Sequence, residues 1–217
     1  MFRRNLFFKQ MILVLLCMSL CVFAEDNAME IIAPRTLINA KGKKTTVEAA
    51  LAGKKFIGLY FSAHWCGPCR AFTPQLVNFH EKCHRKKYPF EVIFVTSDKS
   101  EEEMFNYMKG EKMPWLALPF DDSEGINALK TLFRVNGIPT LVIIDNKGKV
   151  ISNNGRWDVA MLGEKAFKEW EKPDYVPLTY NDFQNKGNSK KGSKQNNDDE
   201  PNGKRKNRKK NKKSSVD

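Results

Sequence analysis

Cysteine is scarce in this chain of 217 residues. Five occur, and Cys17 and Cys21 fall inside an N-terminal apolar run, which leaves Cys66, Cys69 and Cys83 for the rest of the sequence. Three thiols are too few for a disulfide scaffold, and a chain of this length buries a single core without such staples. Histidine is scarcer still, with His64, His80 and His84 the only three. An apolar run of the about 20 residues that a membrane-spanning helix needs is also missing, since the N-terminal one, Met11 to Val22, has twelve. Acidic residues fall short as well, 25 against 37 Lys and Arg, for a formal net charge of +12.

What stands at the N-terminus instead is a secretory pattern. Arg3, Arg4 and Lys9 precede or enter the apolar run, and Val22-Phe23-Ala24 offers a small-residue cleavage site ahead of Glu25-Asp26. Residues 1–24 therefore read as a signal peptide removed after Ala24, with export to the extracellular space, the endoplasmic reticulum lumen or a periplasm. At the other end, apolar residues nearly vanish after Phe183, and from Asn181 to Asp217 twelve Lys and Arg face five Asp and Glu. That composition buries too little apolar surface to fold, so 181–217 read as a disordered basic tail and 25–180 as the folded domain. The dense stretch from Lys204 to Lys213 suits an anionic surface such as phospholipid headgroups or sulfated glycans, and no specific nucleic-acid partner is expected of an exported chain. A tail that merely solvates is the alternative.

The chemistry concentrates between these ends. Lys55-Phe56-Ile57-Gly58-Leu59-Tyr60-Phe61 is aromatic and apolar, as a buried central strand is, while Phe72, Leu76, Phe79 and Cys83 recur at helical spacing. Between them lies Ala63-His64-Trp65-Cys66-Gly67-Pro68-Cys69. Strand, C-x-x-C, helix is a redox context. At a helix start the unpaired N–H groups and the positive end of the dipole favour a thiolate, which makes Cys66 the attacking sulfur. Cys69, one turn further in, can close the Cys66–Cys69 disulfide and release the substrate. Pro68 loses no hydrogen bond at an early helical position. The electron carrier is the cysteine pair itself, so no metal, nucleotide or flavin cofactor is required. The partners are protein or small-molecule disulfides and an upstream electron donor.

A second reading of the same residues is zinc, because Cys66, Cys69, His80 and His84 form C-x2-C-x10-H-x3-H. Geometry argues against it. On one continuous helix Cys69 and His80 lie about 16 Å apart along the axis, whereas every zinc ligand must come within about 2.3 Å of the ion. Cys83 completes the apolar face of that helix and reads as a buried structural thiol. His64 reads as a bystander outside the catalytic set.

Trp65-Cys66-Gly67-Pro68-Cys69 resembles the thioredoxin active site, and Pro74, five residues past Cys69, falls where thioredoxins carry a helix-kinking proline. Tyr60-Phe61-Ser62-Ala63, Phe72-Thr73-Pro74, Met113-Pro114-Trp115-Leu116-Ala117-Leu118-Pro119-Phe120 and Gly137-Ile138-Pro139-Thr140 are similar to the tryparedoxin and nucleoredoxin branch. The resemblance runs from Thr36 to Trp170. It implies a thioredoxin fold and thiol-disulfide oxidoreductase activity of the protein-disulfide reductase type. It also implies a substrate-binding set: Trp65, Gly67 and Pro68 around the cysteines, Ile138 and a cis Pro139 against them, and Trp115 near the active-site surface. Two positions depart from the pattern. Gly67 stands where that branch usually has a second proline, and Tyr60 where ordinary thioredoxins place a buried aspartate, so the proton of Cys69 needs another route. A secretory-pathway oxidase or isomerase would share the site and differ in direction. A non-catalytic adaptor tethered by the tail is the third reading, and the intact C-x-x-C argues against it.

Pattern along the chain predicts the remaining elements. Thr36 to Asn39 reads as a short strand, Lys41 to Lys43 as a turn and Val47 to Leu51 as a short helical piece. Glu91 to Thr96 reads as a second buried strand. Ser100 with Glu103 forms a capping-box pair for a helix over Glu101 to about Met108, with Met104, Phe105 and Met108 inward. Asp121 with Glu124 repeats the signal for a helix carrying Ile126, Leu129 and Phe133 and ending near Asn136-Gly137. Thr140 to Asp145, Asn146-Lys147-Gly148 and Lys149 to Ser152 read as a hairpin, and Val159, Leu162, Ala166 and Trp170 as a last amphipathic helix. Met113 to Phe120 has an alternative reading as an interior strand with no role in binding. The whole is α/β, a mixed central sheet flanked by helices on both faces.

Overall fold

The computed structural model describes residues 27–185. The expected signal peptide, 1–24, and residues 186–217 of the expected tail lie outside them. Thr179 closes one folded unit and Tyr180 opens a second, of which the described residues 180–185 are helical.

The first unit begins with α1 (Ala28–Ile32), β1 (Thr36–Ile38), β2 (Lys44–Thr46) and α2 (Val47–Leu51). Next come β3 (Phe56–Ser62), α3 (Gly67–Arg85), β4 (Phe90–Thr96), α4 (Glu101–Gly110) and β5 (Leu116–Ala117). The first unit then continues with α5 (Ser123–Leu132), β6 (Thr140–Asp145), β7 (Val150–Ser152), α6 (Gly155–Leu162), a 3-10 turn (Gly163–Lys165) and α7 (Ala166–Trp170). The seven strands form one sheet in the order β2-β1-β5-β4-β3-β6-β7. It is mixed: β3 runs parallel to β4 and antiparallel to β6, with Phe56 opposite Phe90 on one side and Asp145 on the other.

All seven residues of β3 are buried, because helices cover both faces of the sheet. Its side chains alternate between two cores. Phe56 and Tyr60 join Phe72, Leu76 and Phe79 of α3, Met104 and Tyr107 of α4, and Phe167 and Trp170 of α7. Ile57, Leu59 and Phe61 join Ala28 and Ile32 of α1, Val47 of α2, and Ile126 and Leu129 of α5. Gly58 lets the two layers approach closely, since a Cβ there would meet Leu141 at 3.1 Å and the Phe90 ring at 3.2 Å and those side chains would have to give. α1 is fastened to the β6–β7 turn through Asn27, whose side-chain amide donates to the Lys147 carbonyl at 2.6 Å.

Several local expectations are corrected. β2 has no apolar face, only the pattern exposed, half-buried, exposed, and so leaves no periodic trace in the sequence. The cap of α5 is Asp122, whose carboxylate accepts the Gly125 N–H at 3.0 Å, rather than Asp121. Arg35, 2.8 Å from the other Asp122 oxygen, decides between the two neighbours. That helix ends at Leu132 because Arg134 turns to φ 48. On α4, Tyr107 is buried with the expected Met104 and Met108, while Phe105 packs half-buried against the same core. The last helix is broken: Gly163, at φ 53, separates α6 from the 3-10 turn and α7, although Val159, Ala166 and Trp170 still face the core.

Candidate active site

The C-terminal end of β3 delivers Ala63, His64 and Trp65 directly to the head of α3. Cys66 is the N-cap of that helix, in extended conformation, and its sulfur accepts the Cys69 N–H at 3.2 Å. An N-cap acceptor satisfies one of the four orphan donors of a helix start, a place that Ser or Asp usually takes. Pro68 sits in the first turn, where a missing N–H costs nothing. Cys66 and Cys69 are joined in a disulfide with their Cα atoms 5.2 Å apart. Access belongs to Cys66, 6% exposed, and not to Cys69 at 0%.

The expected neighbours gather around this pair. The Ile138–Pro139 bond is cis, and the Ile138 carbonyl oxygen lies 3.6 Å from the Cys66 sulfur. Ile138 packs against Ala63, Cys66 and Cys69. Trp65 stands 54% exposed, with its indole N–H donating to the Ser97 carbonyl at 3.0 Å. Gly67 has nothing within 4 Å of where a Cβ would be, so the space beside Cys66 is open.

Beneath the pair lies a feature with no equivalent in the sequence pattern. Tyr60, Ser62, Thr73 and Tyr107, all buried, close a ring of hydroxyls: Tyr60 to Thr73 at 2.8 Å, Thr73 to Tyr107 at 2.6 Å, Tyr107 to Ser62 at 3.0 Å and Ser62 to Tyr60 at 3.0 Å. The Thr73 hydroxyl also lies 2.9 Å from the Cys69 carbonyl, a fifth contact that shares the ring's four protons. Burial above all, with Tyr107 adding to it, pushes the Tyr60 phenol above its ordinary range. The ring is therefore neutral, where the resemblance leads one to look for an acid.

Residues 53–150 match the family model described as thioredoxin-like. A probable nucleoredoxin 1 of Arabidopsis thaliana is 47% identical over 131 residues, covering 60% of this chain and 22% of that protein. Tryparedoxin from Trypanosoma brucei superposes with a TM-score of 0.59 at 36% identity, over 67% of this chain and 99% of that one. A tryparedoxin II complexed with glutathionylspermidine does so with 0.58 at 36% identity, over 69% and 99%. The chain belongs to the thioredoxin superfamily, in its tryparedoxin and nucleoredoxin-like branch. It spans about a quarter of the length of the nucleoredoxins it matches, 22%, 27% and 28% of three of them.

Within this thioredoxin-like site, Trp115 is a correction. It is 2% exposed and packs edge-on to Tyr60 and to the His80 ring, with centroids 6.3 and 5.7 Å apart, so no bound chain reaches it. Of the apolar run from Met113 to Phe120 only Leu116–Ala117 forms a strand, β5, which lies inside the sheet between β1 and β4. His80 lies three turns along α3, 2.9 Å from a Glu91 oxygen whose partner oxygen is 2.9 Å from Lys54. Cys83 is buried, and burial pushes its thiol up to about 12, which leaves it inert.

Sequence reasoning missed Ser97 and Asp98. Both follow β4, whose register sets Thr96 beside Ser62 of β3, so the two strands end side by side under the active-site loop. The carboxyl ends of adjacent parallel strands are where open α/β sheets place their sites, and a polar pair directly after a buried strand is the signal that could have found them.

Proposed function

We propose that this chain is a thiol-disulfide oxidoreductase of the protein-disulfide reductase type. The observation that carries the reading is the Cys66 sulfur at the N-cap of α3, accepting a backbone N–H and holding what access the pair has. As a thiolate, Cys66 attacks one sulfur of a substrate disulfide; the far sulfur leaves with both electrons of the broken bond and takes up a proton. Cys69 then attacks the Cys66 sulfur, the bond to the substrate breaks, and the substrate departs as a second thiol. Substrate gains two electrons and two protons, and the Cys66–Cys69 pair loses both. Because the hydroxyl ring beneath it is neutral, the Cys69 proton passes to the departing sulfur or to solvent rather than to the ring.

A tryparedoxin of similar fold was crystallised with glutathionylspermidine, which supports a small thiol or disulfide alongside protein substrates. Cys69→Ser should trap mixed disulfides that non-reducing gels display, and Cys66→Ser should trap none. Trapping by Cys66→Ser instead would reverse the roles.

Direction separates the reductase from an oxidase or isomerase. The Gly67-Pro68 pair is that of thioredoxin, with a potential of about −270 mV, against a secretory lumen at about −180 to −210 mV. A potential below about −230 mV by equilibration with glutathione and dithiothreitol fits the reductase with an upstream donor; one near about −120 mV favours the oxidase. Export through residues 1–24 and attachment of the basic tail to an anionic surface complete the proposal. A secreted protein still beginning at Met1 would sink the first, and heparin retention unchanged by deleting 181–217 the second.

A further inference from the structure

Three hydrogen bonds tie the segment that carries Cys66 to the loop after β4, and one of them comes to a buried carboxylate. The Ser97 N–H donates to the Ser62 carbonyl at 2.9 Å and the Trp65 indole to the Ser97 carbonyl at 3.0 Å. The His64 N–H donates to Asp98 Oδ1 at 2.6 Å. Asp98 Oδ2 accepts from the Thr96 hydroxyl at 2.9 Å, and that hydroxyl oxygen accepts the N–H of Asp98 itself at 2.9 Å. Asp98 is 9% exposed.

The groups facing this carboxylate come from three elements. His64 reaches it from the loop before α3, Thr96 from the end of β4, and Glu103 opposes its charge from the first turn of α4. Glu103 is itself engaged, accepting the Lys99 N–H at 3.0 Å, and the His64 ring leans on Tyr107 with centroids 5.8 Å apart. Burial pushes the Asp98 carboxyl up by more than the His64 N–H, the Thr96 hydroxyl and the charge of the His64 ring hold it down, and Glu103 adds to the rise. A carboxyl raised in the folded chain binds its proton more tightly folded than unfolded. Ionised Asp98 therefore costs stability at neutral pH, and acid relieves that cost. The fold would be better served by a neutral side chain here.

We propose that Asp98 is a positioning residue for Cys66, its carboxylate clamping the His64-Trp65 backbone so that the sulfur at the head of α3 is held where it reacts; this rests on the reading of Cys66 as the attacking thiolate. An ionised acceptor makes the shorter and stronger bond to a backbone N–H, so removing the charge loosens the clamp while leaving the strand pairing and both cores intact. Charge alone would act the other way. A nearby carboxylate disfavours a thiolate, and its removal by itself would speed the reaction of Cys66.

The test compares the reduced wild-type chain with Asp98→Asn, which is isosteric and neutral. The readouts are melting temperature and the rate of alkylation of Cys66 by iodoacetamide, followed by peptide mass from about pH 5 to about pH 9. Asp98→Asn should melt at or above the wild type yet react about fivefold more slowly at neutral and alkaline pH, the usual gap between charge-assisted and neutral hydrogen bonds. The gap should narrow toward acid, as Asp98 of the wild type begins to take up its proton. Asp98→Ala should be slower than Asp98→Asn. Equal or faster alkylation by Asp98→Asn overturns the proposal, and so does a parallel fall of rate and melting temperature, which marks a purely structural carboxylate. Label on Cys69 in place of Cys66 overturns the assignment of the nucleophile, and the labelled peptide tells that failure from the others.

Discussion

Replacing Tyr60 by Phe removes one oxygen from the closed ring of hydroxyls under the active-site helix and leaves the ring's carbon packing in place. The phenyl group keeps its contacts with Phe72, Phe94 and Trp115, at centroid distances of 5.9, 6.2 and 6.3 Å. What is lost is the 2.8 Å bond to Thr73, the 3.0 Å bond from Ser62 and a long 3.4 Å contact to the Cys69 carbonyl. No partner is orphaned. Thr73 keeps Tyr107 at 2.6 Å and the Cys69 carbonyl at 2.9 Å, and Ser62 keeps Tyr107 at 3.0 Å. The cost is thus that of two ordinary hydrogen bonds, about 1.5 kcal/mol, rather than the about 3 kcal/mol of a stranded buried group. For a folded unit of this size that lowers the melting temperature by about 3 to 6 °C. Activity should respond differently. A phenol held above its ordinary range by burial and by Tyr107 accepts no proton near neutrality, so the rate of reducing Ellman's reagent with dithiol supplied should stay within about twofold, with an unchanged pH profile. A tenfold loss with a displaced pH profile would show that the Cys69 proton does pass through Tyr60. An unchanged melting temperature would show that the ring contributes no stability.

Lys112, exposed and at φ 53 just past the end of α4, occupies a left-handed position that glycine takes without strain. Lys112→Gly should stabilise the fold by about 0.5 to 1 kcal/mol in urea titrations, and a loss of similar size would mean that the lysine side chain makes a stabilising contact. Cys83 supplies a pH dependence: burial raises its thiol to about 12, with Lys86 opposing and Glu164 adding, against 9.0 for the free group. The unfolded chain loses that proton first, so stability holds below about pH 9 and falls above it by at most about 1.4 kcal/mol per unit. Cys83→Ala should narrow the stability difference between pH 8 and pH 10, and an undiminished difference would trace the alkaline loss to other groups.

What is legible in the sequence is whatever one face or one turn decides locally. β3 shows as a continuous apolar run because both its faces are covered, and the α3 residues Phe72, Leu76, Phe79 and Cys83 show at helical spacing because one stripe meets the core. The cysteine pair is legible for the same reason, since strand end, cap and first turn are contiguous. β2 is illegible because neither face is buried, and the cap of α5 because two adjacent aspartates compete and a distant arginine chooses. Trp115 teaches a different point. The apolar run around it favours burial, the resemblance draws it toward the surface, and the 2% exposure sides with the pattern.

The half of the site that is missed is the half assembled by pairing. Ser62 and Thr96 are 34 residues apart, and only the parallel register of β3 and β4 sets them side by side. That register brings the Ser97 bonds and the Asp98 contact with His64, while Tyr107 reaches Ser62 and Thr73 from helix α4 packed on the sheet face. Apart from Tyr60, which stands out only against the resemblance, these residues look unremarkable alone: a serine at a strand end, an aspartate in a turn. Burial is what gives them chemical meaning, because a hydroxyl or carboxylate withdrawn from water must find its partners among the groups the fold brings to it. A pair of cysteines is therefore legible in the sequence, while the hydroxyls and the carboxylate packed around it appear only once the strands are in register.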